Sequence, residues 1–232
     1  MDIFKDLVRR RFDGLILASH FILKSREAQE ILARIHKRGL PIVEFSEINN
    51  VDTISADYRD ATKEVVSYLI SLGHRRIGFV YGVGDHDLGL DRLEPFQESM
   101  KAVGISLEPD LIIECGPTTE DGYLGAKTLL ELVPLPTAII AINDLLAIST
   151  MRAAADLGIR VPDDLSVVGY DDIPMANYLV PRLTTVTKNA HTAGQRAFEM
   201  LMARMQNPNL PRQLIHIPTK LIVRESTGRA PL

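Results

Sequence analysis

A rhythm of helix, glycine and short apolar strand recurs along this chain, and it limits the possible folds more than any other feature. Ala28, Ile31, Leu32 and Ile35 line one helical face, Gly39 stops the helix, and Pro41-Ile42-Val43-Glu44-Phe45 reads as a strand. Val65, Val66, Leu69 and Ile70 repeat the face, with Gly73 as the stop and Ile77-Gly78-Phe79-Val80-Tyr81 as the strand. Phe96, Met100 and Val103 precede Gly104 and Leu111-Ile112-Ile113, and a helix over 145–157 precedes Gly158 and Ser166-Val167-Val168-Gly169. Glycine takes the left-handed position after a helix without a Cβ penalty. Short, continuously apolar strands alternating with helices mark a parallel sheet covered on both faces. Residues 12–17 and 138–142 add two more such strands. The fold class is therefore α/β, with doubly wound parallel sheets. No Pro-, Gly- or Ser-rich linker divides the chain, so any two lobes must be joined by strands crossing between them.

A chain of 232 residues can bury the core of one large domain or two small ones. No apolar run approaches the roughly 20 residues needed to span a bilayer. Residues 1–10 read as a charged amphipathic helix and not as a signal peptide. The single cysteine, Cys115, permits neither an internal disulfide nor a Cys-based zinc site. These features predict a soluble cytoplasmic protein. The net charge is −4 and the pI about 5.9. The compact basic clusters, Arg9-Arg10-Arg11 and His74-Arg75-Arg76, fall beside expected helix ends, where cations complement the dipole. Phosphate contacts dominate nucleic-acid affinity, so this chain by itself is expected to bind DNA poorly.

In open parallel sheets, ligands bind beyond the carboxyl ends of the strands. Beyond Ile77-Gly78-Phe79-Val80-Tyr81 comes a glycine-bearing loop, residues 82–87, leading to Arg92 at the start of a helix. Asn143 and Asp144 follow strand 138–142, and Asp171 and Asp172 follow Tyr170. Arg92, Asn143 and Asp171 are thus presented toward one edge. A carboxylate accepting from vicinal hydroxyls, an amide and a forked guanidinium suit a polyol. Each residue also has a plainer role open to it. Asp144, and less readily Asn143, can cap the following helix; Asp171-Asp172 can be an ordinary turn; Arg92 can be a solvated first-turn residue. A cation near a helix amino end is disfavoured, which leans toward a ligand role for Arg92.

Enzyme signatures are weak. Gly82-Val83-Gly84 follows a strand, but Asp87 stands where a dinucleotide fingerprint needs its third glycine. The chain has no Walker lysine, Gly-x-Ser-x-Gly elbow or His-Glu-x-x-His helix. Asp85, His86 and Asp87 are adjacent loop residues, a poor metal set, and no cofactor is expected. Cys115 reads as a small buried hydrophobe and His74 as a capping residue after Gly73.

Residues 161–174, Val-Pro-Asp-Asp-Leu-Ser-Val-Val-Gly-Tyr-Asp-Asp-Ile-Pro, resemble the most characteristic stretch of the lactose-repressor (LacI/GalR) family of transcription regulators. Pro181-Arg182-Leu183-Thr184-Thr185-Val186 follows at the family's spacing. Leu72-Gly73-His74-Arg75-Arg76-Ile77, Asp13-Gly14-Leu15-Ile16-Leu17, Asn143-Asp144 with Ala147, and Val223-Arg224-Glu225-Ser226-Thr227 are similar to further family segments. The resemblance runs almost end to end. It implies two lobes of periplasmic-binding-protein type that close on a small effector, with chain crossings near Ala56-Asp57, Lys188-Asn189 and Gln213-Leu214. The expected lobes are residues 1–56 with 189–213, and 57–188 with 214–232. Residue-by-residue match makes Arg92, Asn143 and Asp171 the effector contacts, in agreement with the strand-end reading.

The resemblance further implies operator DNA bound through a helix-turn-helix head, and a homodimer. Family members begin with that head, then a strand, a helix and a strand before the Asp13-Gly14 segment; the first lobe is expected to be incomplete here, by truncation and not as a natural headless form. The family often places an aromatic ring a few residues before Gly122-Tyr123, where this chain has Pro117, Thr118 and Thr119. That argues against a flat nucleobase and for a sugar, sugar acid or related polyol. Ser46 and Glu47 stand where many relatives have another effector contact. A secreted solute-binding protein of the same fold is the alternative, and a nucleotide-dependent enzyme is disfavoured by the failed fingerprints.

Overall fold

The computed structural model describes residues 12–18, 26–45, 50–82, 89–116 and 118–231. The helix expected at residues 1–10, Arg9-Arg10-Arg11, Ser46-Glu47, the Asp85-His86-Asp87 group and Pro117 all lie outside the described residues. The chain forms two compact units, residues 1–56 with 189–218 and residues 57–188 with 219–232.

In the first unit, β1 (Leu15–Leu17), β2 (Ile42–Glu44), β3 (Asp52–Ala56) and β9 (Leu214–Ile217) form a four-stranded parallel sheet in the order β1-β2-β3-β9. Side chains alternate across a strand, so adjacent residues of β2 serve opposite faces. Ile42 packs with Leu15, Val51 and the buried face of helix α1 (Arg26–Lys37), namely Ala28, Ile31, Leu32 and Ile35. Val43 packs with Ile54, Ile217 and the buried face of α6 (Ala190–Gln206), which is Ala193, Ala197, Met200 and Leu201. Covering both faces is why Ile42 and Val43, neighbours on β2, are both apolar and both buried.

Asp52 and Arg204 lock this unit. Arg204 sits at the carboxyl end of α6 and donates from Nε and Nη2 to the two oxygens of Asp52, each at 2.8 Å. The same guanidinium donates to the carbonyls of Pro208, Leu210 and Pro211, and Asp52 also accepts from the Gln213 amide at 2.8 Å. The pair ties the turn after α6 to β3 and starts β9 in register. Because β9 pairs with β3 through residue 217, the third crossing falls after Pro218. The expectation at Gln213-Leu214 falls at the start of β9 and not after it, because Leu214-Ile215-His216-Ile217 stays paired with β3, a long-range contact that spacing does not show.

In the second unit, six strands run in the order β10-β8-β7-β6-β4-β5: β4 (Ile77–Tyr81), β5 (Ile112–Glu114), β6 (Ala138–Ala141), β7 (Ser166–Asp171), β8 (Thr184–Thr187) and β10 (Lys220–Ile222). All pairings are parallel except β10 on β8. The helices are α2 (Arg59–Ser71), α3 (Leu90–Ala102), α4 (Thr119–Leu130) and α5 (Asp144–Asp156). Helices stop where glycine allows the left-handed turn, as at Gly73 and Gly158, with φ of 96° and 72°. Gly122 serves contact instead, since a Cβ there would lie 2.4 Å from Leu146 on α5. His74 is fully buried, its ring bonded to Thr137 Oγ1 at 2.9 Å and to the Gly228 carbonyl at 3.0 Å. Burial lowers its pKa. It fastens the carboxyl-terminal segment, a larger task than capping α2.

Candidate functional site

In a doubly wound sheet the crevice opens beyond the carboxyl ends of the strands, where strand order reverses. Here that point lies between β4 and β6, because β5 lies on one side of β4 and β6 on the other. Gly89, ahead of the helix that follows β4, and Ile142, leaving β6, meet there. Gly89, at φ 97°, lies so near Ile142 that a Cβ would sit 2.9 Å from its side chain. Gly89 is also the residue before α3, and it sets Arg92 in the first turn.

Arg92 is not a solvated first-turn residue. Its side chain is 12% exposed and its Nη1 lies 2.9 Å from Asp91. The guanidinium carbon stacks 3.7 Å from the ring centroid of Tyr58 and 5.3 Å from that of Tyr170. Such stacking compensates a cation for part of its lost water. Burial weighs against the charge, but Asp91, Tyr58, Asp171 and Tyr170 outweigh it and raise the pKa. The Nε of Arg92 is buried and has no hydrogen-bond partner among the described residues. Buried donors are normally satisfied, so this atom marks a place where an acceptor fits.

Asn143 has extended backbone and its side-chain oxygen accepts from the Leu146 amide at 2.8 Å, so it is the cap of α5. Asp144, the readier cap by sequence, is instead the first residue of the helix, and its carboxylate is fully buried. That carboxylate accepts from the Ile173 amide at 2.8 Å and from the Thr185 hydroxyl at 2.5 Å. Gly169 makes room for it: a Cβ there would lie 2.4 Å from Asp144 Oδ1. Capping occupies the Asn143 oxygen and leaves its amide hydrogens to a further partner.

Asp171 is the last residue of β7 and not the first beyond it. Its φ is 109° and that of Asp172 is 54°. Two successive non-glycine residues at positive φ make this more than an ordinary turn, and strand alternation no longer dictates where they point. Asp171 accepts from Lys188 Nζ at 2.9 Å, and Asp172 from Arg224 Nη2 at 2.6 Å. Asp171 is close enough to Arg92 to raise its pKa, so two of the three expected residues share one electrostatic environment. Asn143 stands on the segment leaving β6, the strand between β4 and β7 in the sheet order.

Sequence reasoning did not find Tyr58, Lys188 or the role of Asp144. Tyr58 and Lys188 lie at chain crossings, where no periodicity places them, and only the distances reveal them. Cys115 is half-buried and not fully so, and burial with nearby Asp121 and Glu114 pushes its thiol up to about 11. A thiol held protonated is a poor nucleophile. Among the described residues no cluster of His, Cys, Asp and Glu is arranged to hold a metal ion, and no helix is long and apolar enough to cross a membrane.

Fold and edge together define an α/β domain of the periplasmic-binding-protein type, and the profile of the "periplasmic binding protein-like domain" family matches residues 66–227. The chain is 30% identical over 234 residues to the "HTH-type transcriptional repressor PurR" of Klebsiella pneumoniae, covering 97% of this chain and 66% of that protein. It therefore spans just under two thirds of that relative's length. A LacI-family regulatory protein from Chloroflexus aggregans superposes with a TM-score of 0.84 at 33% identity, covering 98% of this chain and 81% of that one. A LacI-family regulator from Enterococcus faecium with bound ribose superposes with a TM-score of 0.87 at 27% identity, covering 99% and 85%. The chain belongs to the periplasmic-binding-protein-like family, and within it to the effector-binding domains of lactose-repressor-type regulators.

Proposed function

We propose that this chain is the effector-sensing part of a bacterial transcription repressor, taking a small hydroxyl-rich molecule at the carboxyl edge of the second unit's sheet. Arg92, Asn143 and Asp171 are the proposed contacts. Asp171 accepts from hydroxyls, the Asn143 amide donates, and Arg92 supplies the observation that carries the reading, a buried Nε without a partner among the described residues. A sugar, sugar acid or related polyol fits these groups. A ribose-bound relative of the same fold supports that class. Effector binding controls operator DNA, which a helix-turn-helix head outside these residues engages in a homodimer. The site performs no catalysis, and the protein works in the cytoplasm.

Thermal-shift screening of neutral sugars, sugar acids and nucleosides tests the site, because a ligand bound only by the folded state raises its stability. The expected result is a shift by a sugar or sugar acid that Arg92→Ala abolishes. A purine giving the only large shift would overturn the polyol reading. Base readout needs an element in the major groove, so the 232-residue chain is expected to show no sequence-specific affinity for its own upstream DNA. Sub-micromolar specific binding in an anisotropy titration would contradict this.

A further inference from the structure

We propose that Asp144 is a positioning residue for Asp171, its buried carboxylate holding the 171–173 turn in the conformation that presents Asp171 at the edge. The inference rests on the effector-site reading above, but it makes its own structural prediction.

The geometry carries it. Asp171 and Asp172 both hold positive φ, a conformation that non-glycine residues keep only where their surroundings impose it. The side chains of the two are anchored separately, by Lys188 and by Arg224. The turn's main chain is tied by the next residue, whose amide donates to Asp144 Oδ2 at 2.8 Å. The other oxygen takes the hydroxyl of Thr185, the residue paired with Gly169 across β7 and β8. One carboxylate thus spans the first turn of α5, the exit of β7 and the middle of β8. It reaches them only because Gly169 lacks a side chain.

The same contact responds to protons. The hydrogen-bond partners found for Asp144, the Ile173 amide and the Thr185 hydroxyl, are neutral. The charged groups around this turn are Asp171 at the end of β7, Asp172 just beyond it, Lys188 after β8, Arg224 beyond β10, and Arg92 of α3 beside Asp171. Burial, reinforced by Asp171 and Asp172, outweighs the two hydrogen bonds and pushes the carboxyl up to about 6. On protonation the group becomes a weaker acceptor, and its hold on the Ile173 amide loosens near neutral pH.

Hydrogen exchange of the full-length protein, followed by mass spectrometry from pH 5 to 8, tests this with wild type, Asp144→Asn and Thr185→Val. Comparison at equal pH removes the intrinsic pH dependence of exchange. At pH 8 the Ile173 amide of wild type is expected to be at least tenfold better protected than in Asp144→Asn, with the gap closing to within about twofold by pH 5. Val167 and Val168 should not change. Thr185→Val keeps the carboxylate but removes a donor to its charged form, so its transition should move to higher pH. Equal Ile173 protection in wild type and Asp144→Asn at every pH, or a loss spread evenly along β7, would overturn the positioning role. Binding of the sugar panel at pH 8 is measured beside it, with at least tenfold weaker affinity expected for Asp144→Asn. If no sugar or sugar acid binds wild type, the effector reading fails while the exchange result stands. If one binds and Asp144→Asn releases Ile173 without weakening it, the turn does not position Asp171.

Discussion

Each unit of this molecule buries an aspartate, Asp52 in the first and Asp144 in the second, and the two are handled in opposite ways. In the first unit Asp52 accepts from a guanidinium on both oxygens, and donating to that carboxylate raises the pKa of Arg204. In the second unit the hydrogen bonds to Asp144 come from a main-chain amide and a hydroxyl. An ion pair with several supporting bonds is a fixed clasp. A buried acid with neutral donors keeps its proton equilibrium near neutrality. The first arrangement fastens an architecture, and the second leaves a turn able to respond.

The largest expected effect tests the clasp. Asp52 is 2% exposed and Arg204 15%, so removing one partner strands the other away from water. Breaking such a pair from one side costs about 3–5 kcal/mol. Arg204→Ala should be the most destructive single change, because it also releases the carbonyls of Pro208, Leu210 and Pro211. Denaturant unfolding monitored for each unit should show the first losing its transition midpoint while the second keeps its own. A loss below about 1 kcal/mol would mean the pair is hydrated and that the contrast with Asp144 is overstated.

The second effect concerns pH. The Asp144 carboxyl is pushed up to about 6 in the folded protein from an ordinary value of 3.8. A raised folded value means the folded state holds more protons between those limits. The group's contribution to stability is therefore fully present below about pH 4 and lost as pH rises through 6. At 1.36 kcal/mol per pH unit the window spans on the order of 3 kcal/mol. Other carboxylates respond in the opposite sense, so the difference between wild type and Asp144→Asn is the quantity to follow. Wild type should gain on the variant as the pH falls from 7.5 to 4.5, read as the difference in melting temperature. A flat difference would show that Asp144 is not desolvated.

The two carboxylates also mark how far the sequence could be read. The helix, glycine and strand rhythm made the α/β class legible, because apolar periodicity is local. It located β2, β4, β5, β6 and β7 within a residue or two of their observed bounds. It missed β8, whose Thr184 and Thr185 are polar by composition yet fully buried, their hydroxyls bonded inward. Arg92, Asn143 and Asp171 were legible because chemistry in such sheets gathers at strand ends. Asp52 and Asp144 were not, because Arg204 is 152 residues from Asp52 and Thr185 is 41 from Asp144. A contact of that kind leaves no trace in spacing. The cap stayed open between Asp144 and Asn143 for a related reason: Asn and Asp are both good caps, and only the backbone angles show that Asn143 fills the position.

The smallest expected effect is the most discriminating, because it separates two neighbours. Asp171→Asn should weaken effector binding far more than Asp172→Asn. Asp171 accepts from Lys188, whose side chain is 42% exposed, so the carboxylate sits at a partly open edge beside Arg92. Hydrogen bonds to a charged group contribute roughly 1.5–3 kcal/mol, which converts to an affinity loss of about ten- to a hundredfold. Asp172 faces Arg224, which is 10% exposed and also donates to the Leu183 carbonyl. Its loss leaves a nearly buried cation without its carboxylate, so Asp172→Asn should lower the melting temperature while leaving affinity within about threefold. Calorimetric titration of both variants in the full-length protein, with whichever sugar shifts wild type, separates these outcomes. Equal affinity losses would mean that the turn acts as one unit and that neither carboxylate contacts the effector alone. A larger loss at Asp172 would reverse the roles, and the positioning task of Asp144 would then attach to Arg224 and its partner instead.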